Sequence, residues 1–436
     1  MKILRRITAL AALALLASCG GGSSNEDPSF VCSVSSDKAW LREEMFDFYF
    51  WSGRSPDPSP ETYADVNEYL NALRFQGDAD EPYDRFSYIE SAAAFSQFFE
   101  EGKTLGYGVA FNGQERTLPL RIRYIEPNSP AAAAGLLRGD TIVSANGTAA
   151  AQLVSSGDFS VLSAANEGDK LTLVVDSGSG ARTVEVTAAT FSLKPVTATT
   201  VFTLPNGKKA GYLSLKDFIT QAEGPLSDAI AQIRAQGATE LILDLRYNGG
   251  GRVSTATHLA SLVTGATQAG KLFTSLVFNP KQQRYNTTYR LSSQPGTAFP
   301  RVVVLTGSRT CSASEMVANG LKPYADVVTI GGTSCGKPVG FSPQKHCDKV
   351  YSLVNFESLN ANGQGKYYSG LPLTCTVKED FTRALGDASE TLTAAALSYL
   401  QNGSCPVQPS SVPSRVLRST ERPVVEPGQR SGMFAD

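Results

Sequence analysis

Histidine is nearly missing from this chain: His258 and His346 are the two among 436 residues. That excludes a multi-histidine metal centre and any mechanism that needs several imidazoles. Neither sign of charge dominates, with 39 Lys and Arg against 41 Asp and Glu. No global field therefore draws in nucleic acid or anionic lipid. The seven cysteines form no Cys-x-x-Cys pair, and His346-Cys347 is the one close His/Cys pair; a structural metal cluster has little to build on. The 39 glycines and 23 prolines fall well short of a low-complexity composition. What is present, 42% hydrophobic residues, suffices for a globular protein of two or three domains.

The apolar run from Ile7 to Ala17 is too short to span a bilayer and follows Lys2, Arg5 and Arg6, the order of an export signal. It ends Leu16-Ala17-Ser18-Cys19-Gly20, which resembles the lipobox of bacterial lipoproteins. The resemblance implies removal of residues 1–18, acylation of Cys19 and a lipid anchor in the cell envelope. Gly20 in place of aspartate points to the outer membrane, facing the periplasm. Residues 19–36 read as a flexible tether. Setting Cys19 aside leaves an even number of cysteines in an exported chain, which favours disulfides. Several pairings are open; our expectation is Cys32 with Cys405, Cys311 with Cys335, and Cys347 with Cys375.

Over residues 37–103 apolar side chains recur at spacings of three and four, at Trp40, Leu41, Met45, Phe46 and Tyr49 and again at Tyr63, Val66, Tyr69, Leu70 and Leu73. This predicts a small helical domain. Over 104–194 the pattern changes to short strands between turn residues. There Ser129-Pro130-Ala131, Gly135-Leu136, Gly139-Asp140 and Asn146-Gly147 resemble the signature of a PDZ domain. In that family an extended peptide adds to a sheet edge and its carboxylate meets backbone amides of a glycine-bearing loop. The matching segment is Leu105-Gly106-Tyr107-Gly108.

Residues 195–405 alternate strand and helix, with a near-continuous apolar strand at Glu240 to Arg246, which predicts a layered, mostly parallel α/β sheet. The whole is therefore an α/β protein. Residues 406–436, rich in Pro, Ser, Arg and Gly without periodicity, predict a disordered tail.

Three segments of the α/β part carry chemistry. Asp244-Leu-Arg-Tyr-Asn-Gly-Gly-Gly251 ends a buried strand in glycines that can present backbone amides. Thr310-Cys-Ser-Ala-Ser-Glu315 lies at a strand-to-helix junction, and Cys335-Gly-Lys-Pro338 is a loop with one lysine. Together and in this order they resemble peptidase family S41, the C-terminal processing and tricorn-like serine peptidases with a ClpP/crotonase-like catalytic domain. The resemblance spans roughly residues 37–400. It implies a Ser312 nucleophile, a Lys337 general base, an oxyanion hole from the amides of Gly251 and Ala313, polypeptide substrates, and neither metal nor organic cofactor.

A serine at a helix start gains from the helix dipole as negative charge develops. A lysine base at neutral pH needs its pKa lowered from ~10.4 by about three units, and Cys335 to Phe341 contain no carboxylate that would oppose this. A capping box is the bland reading of Ser312 with Glu315, and a structural ion pair the preferred reading of Asp244 with Arg246. Two features depart from the family. Phe341 stands where many members carry a glutamine that orients the lysine. Cys311, next to Ser312, lacks a histidine partner that would make it a nucleophile. Two other readings share the fold: a non-catalytic protein binding peptides or apolar ligands, and an esterase or amidase with the same dyad.

Overall fold

The computed structural model of this chain describes residues 31–406 and 432–435. The export signal, Cys19 and the first part of the tether lie outside them. Helix α1 (Val34–Asp47) begins with a Ser33 capping box, and α2 (Val66–Leu73) with the Asp65 side chain accepting from Asn67 and Glu68. Leu41, Met45, Tyr69, Leu70 and Leu73 pack with Tyr351, Leu353 and Val354 of the distant α/β body. Burial of these side chains thus fastens the N-terminal helices to the body. The chain joins that body again at strand Tyr88–Ser91, antiparallel to Lys349–Ser352.

In the middle region strands Thr141–Ala145, Lys170–Asp176 and Ala181–Thr187 form an antiparallel sheet around Leu120, Ile122, Leu136, Ile142, Leu171, Leu173 and Val175. Ser129 caps the short helix Pro130–Ala133, and buried Asp140 accepts from Ser177 at 2.6 Å and from the Leu137 amide at 3.1 Å. Ser129 and the Leu137 amide make the local bonds of these turns, and Ser177 reaches Asp140 from a distant strand end.

The α/β body starts with β1 (Val196–Thr203), β2 (Lys209–Leu215) and α3 (Glu223–Ala235). There follow β3 (Glu240–Asp244), β4 (Gly250–Arg252) and α4 (Val253–Thr264). Next come β5 (Arg301–Thr306), α5 (Ala313–Leu321) and β6 (Asp326–Gly331). It ends with β7 (Val339–Gly340), β8 (Cys375–Thr376), α6 (Thr391–Asn402) and β9 (Gly432–Phe434). The main sheet has the order β1-β2-β3-β5-β6-β8, parallel throughout except for β1. Strand alternation divides the core. Leu241, Leu243, Val302 and Val304 face one cluster with α3, α4 and α5, whereas Ile242, Val303 and Leu305 face the other with Leu392, Ala396 and Leu400 of α6. Helices on both faces explain the unbroken apolar strands.

Two findings depart from expectation. The Cys311–Cys335 disulfide is present, but the others pair Cys32 with Cys347 and Cys375 with Cys405. Cys32 precedes α1, whose Trp40 stacks on His346 at 4.6 Å and whose Asp37 meets Lys349 at 3.1 Å; Cys347 is therefore the thiol within reach. Cys405 follows α6, which lies over the sheet whose edge strand holds Cys375. The second departure is in the segment expected to be disordered, where Gly432–Phe434 is a strand paired with β4.

Candidate active site

Strand β3 runs into Arg246 and the glycines, and Asn248 then organises the turn that follows. Its side-chain oxygen accepts from the Gly250 amide at 2.8 Å, and its amide nitrogen donates to the Leu215 carbonyl at 3.2 Å. Its backbone carbonyl accepts from the Cys311 amide at 3.1 Å and from Ser314 Oγ at 3.0 Å. Asn248 thus clamps the glycine strand to the start of α5. The sequence motif contains it, but nothing local discloses that its partners lie some sixty residues away.

Ser312 begins α5 at φ 62°, ψ −116°, outside the conformations open to most side chains, and is fully buried. Such a backbone costs about 1–3 kcal/mol and persists where the surroundings enforce it. The enforcing group is Glu315. Its carboxylate accepts from the amides of Ser312 (2.9 Å), Gly336 (2.9 Å) and Lys337 (2.8 Å) and from Ser334 Oγ (2.6 Å). The Ser312 and Lys337 amides share one of its oxygens, so a single buried carboxylate holds both candidate residues. The capping-box reading of Glu315 describes only the first of these bonds. Burial pushes this carboxyl above its ordinary value, against the hydrogen bonds that favour its charged form.

Lys337 is also fully buried, with Nζ 4.4 Å from the Phe341 ring centre and 5.1 Å from that of Phe86. Burial lowers it to about 7, against the upward pull of Asp84 and Glu315. The sequence neighbourhood of the lysine offers no carboxylate; the fold supplies two from remote segments. Phe341 supplies an aromatic wall on one side of the ammonium. The N-terminal region adds the second wall, since Arg85 donates to the Cys335 carbonyl at 2.7 Å and so fixes Phe86 beside the lysine loop.

The Cys311–Cys335 disulfide, Cα to Cα 5.1 Å, joins the two loops next to Ser312 and Lys337. In a loop-closure estimate for this separation it contributes about 3 kcal/mol. The double substitution Cys311→Ala and Cys335→Ala should therefore lower the unfolding free energy by roughly that amount in urea titration.

The glycines lie against the serine turn. A side chain on Gly250 would begin 3.0 Å from Ser312 Cβ and 3.1 Å from the Ala313 amide nitrogen, and one on Gly251 would collide with the Phe218 carbonyl. Gly250 is thereby brought against Ser312 and the Ala313 amide, while Gly251 packs against Phe218. Asp244 and Arg246 instead form a structural network: Arg246 meets Asp244 at 2.9 Å and Glu390 at 2.6 Å, and Tyr212 donates to Asp244 at 2.6 Å.

Leu105, Gly106, Tyr107 and Gly108 line a cleft between the middle domain and the α/β body, opposite Lys216, Asp217 and Arg309. Lys103–Gly106 pairs with Ala189–Ser192, while the Tyr107 and Gly108 carbonyls accept from Ala131 and Glu126 at 2.9 Å. Lys216 and Asp217 precede Phe218, whose amide donates to the Gly250 carbonyl at 3.0 Å. The cleft-lining Asp217 is therefore adjacent in the chain to the residue that holds the glycine strand beside the serine turn. Partly buried Glu126 within the cleft is pushed up to about 7, by desolvation first, against the pull of Lys216. Among the described residues no helix is long and apolar enough to cross a membrane.

Family models for peptidase family S41, a PDZ domain and the peptidase S41 N-terminal domain match residues 209–365, 121–176 and 36–88. The chain is 29% identical over 279 residues to a carboxyl-terminal-processing protease of Picosynechococcus, covering 64% of this chain and 63% of that one. It is 24% identical over 296 residues to the carboxy-terminal processing protease CtpA of Bacillus subtilis, covering 67% and 60%. The alignments thus span less than two thirds of these curated relatives. A putative S41 protease from Bacteroides fragilis superposes with a TM-score of 0.66 at 26% identity, covering 86% of this chain and 98% of that structure.

Proposed function

Because the chain belongs to peptidase family S41, we propose that it is a serine endopeptidase working through a Ser312/Lys337 dyad. The observation that carries this reading is a buried lysine held near pKa 7 and tied through Glu315 to a strained buried serine. Lys337 Nζ takes the Ser312 proton as Oγ attacks a peptide carbonyl. The Gly251 and Ala313 amides receive the negative charge that develops on the carbonyl oxygen. The C–N bond then breaks, the leaving amine takes the proton from Lys337, and water hydrolyses the ester by the same route. The Leu105–Gly108 cleft binds an extended peptide end, with Lys216 and Arg309 as complementary charge to a carboxylate. The lipobox-like segment assigns a Cys19 anchor and a location in the cell envelope, at the outer membrane facing the periplasm.

Retention of both Ser312 and Lys337 speaks against a purely binding protein. The test is digestion of an unfolded protein by the purified chain and by Ser312→Ala, with products read by mass spectrometry. Cleavage by the wild type alone is expected; equal cleavage by both would exclude Ser312, and cleavage by neither would favour a binding role.

A further inference from the structure

Strand β9 fills the space beside the serine turn. It runs parallel to β4, with Gly432 opposite Gly250, Met433 opposite Gly251 and Phe434 opposite Arg252. On its other side the Phe341 amide donates to the Met433 carbonyl at 2.9 Å, and the Ala435 amide to the Phe341 carbonyl at 3.1 Å. The Gly432 amide donates to the Gly249 carbonyl at 3.1 Å. Met433 is fully buried, and Phe434 packs on Phe99 at 4.7 Å and under the Arg252 guanidinium at 5.2 Å.

The position of Gly432 gives this strand its meaning. The point where a Gly250 side chain would begin lies 2.5 Å from the Gly432 carbonyl oxygen, 3.0 Å from Ser312 Cβ and 3.1 Å from the Ala313 amide nitrogen. Phe218 already uses the Gly250 carbonyl and the Arg252 amide, at 3.0 and 2.8 Å. In a parallel ladder the backbone groups of Gly251 must then face β9. The carbonyl of Gly432 therefore lies where the acyl carbonyl of a substrate would lie, among the groups assigned above to nucleophile and oxyanion hole.

We propose that Gly432–Ala435 is a resident occupant of the peptidase cleft, bound as a substrate strand and excluding other peptides until it is displaced. This rests on the Ser312 reading for the identity of the cleft. It also names the ligand class: an extended peptide with a small residue at the carbonyl beside Ser312 and large apolar side chains at the next two positions. Only a small residue fits at the first position because a side chain on Gly432 would begin 2.5 Å from the Phe341 ring. Apolar residues fit at the next two because the sites now holding Met433 and Phe434 are closed to water, so burying such side chains favours binding. Strand addition between β4 and Phe341 supplies the backbone bonds.

The test uses a background in which hydrolysis plays no part. A fluorescent peptide with the sequence of residues 429–436 is titrated by anisotropy into the purified Ser312→Ala chain and into the same chain carrying Met433→Asp and Phe434→Asp. The two aspartates disfavour the buried strand, so the peptide should bind at least tenfold more tightly to the second protein. Equal affinity for both, or binding to neither, would overturn the proposal and make β9 a permanent strand of the body. If circular dichroism shows the Asp pair unfolded, Met433→Gly with Phe434→Gly gives the same comparison. Hydrolysis by the Met433→Asp, Phe434→Asp chain with Ser312 intact, compared with the same chain carrying Ser312→Ala, reports on Ser312 with the strand disfavoured, so the two readings fail independently.

Discussion

Between pH 5 and 9, kcat/KM for a peptide substrate should climb along one limb centred near pH 7 and then level off. Lys337, lowered to about 7 chiefly by burial, accepts the Ser312 proton only when neutral. Lys337→Met keeps the length and apolar stem but removes the base, and should lower kcat by roughly a thousandfold. The same lysine leaves a mark on stability. The unfolded chain binds its proton up to pH ~10.4, and the folded chain only up to about 7. Between these values the unfolded state carries more protons, so stability rises with pH across that window, by up to roughly 5 kcal/mol. Lys337→Met should therefore be inactive, more stable than wild type at neutral pH and free of this pH dependence. Urea titration at pH 7 and 10 measures both. Glu126, pushed up to about 7, titrates in the same range but lies in the cleft beside Lys216 and Asp217. Glu126→Gln should leave the activity limb in place. A flat pH profile, or an active Lys337→Met, would remove the lysine from the mechanism.

Where the sequence was legible, the physics was local. Glu240 to Asp244 is apolar enough to need cover on both faces, and the main sheet provides it. Ser129-Pro130 and Gly139-Asp140 fix turns through bonds to near neighbours, so the PDZ pattern appears in a short window. The order of three motifs singles out Ser312 and Lys337, whose amides the fold brings to one buried carboxylate. What stayed hidden depends on distant partners. Asp84 and Phe86 act on Lys337 across some 250 positions, and no periodicity near the lysine announces them. Glu315 reads as a helix cap because one of its bonds is a cap, while three others go to a loop about twenty residues on. Gly432-Met433-Phe434 is too short to show alternation, and its strand conformation comes from the edges of β4 and Phe341. Phe341, by sequence a departure from the family, has two roles: its ring faces the lysine and its backbone pairs with β9.

Glu315→Ala should have the largest effect on the fold and the site together. It removes the acceptor of four hydrogen bonds in a fully buried place, and leaves three amides and the Ser334 hydroxyl without it. Each buried donor so deprived costs about 1–3 kcal/mol, and partial relaxation brings the expected loss to roughly 4 kcal/mol in urea titration. Activity should fall more than a hundredfold, because the carboxylate holds the backbone at both Ser312 and Lys337 to within the tolerance that acyl transfer requires. Glu315→Gln separates positioning from charge. It keeps one acceptor oxygen, so about half of the stability should remain. It also removes a negative charge that holds the Lys337 pKa up. The acid limb of the residual activity should then move to lower pH, since a lysine with less support for its charged form loses its proton earlier. A purely structural Glu315 would lower activity at every pH alike and leave the limb near 7. A shift towards alkaline pH would contradict the electrostatic link between Glu315 and Lys337, because it would require the glutamine to favour the ammonium more than the carboxylate does.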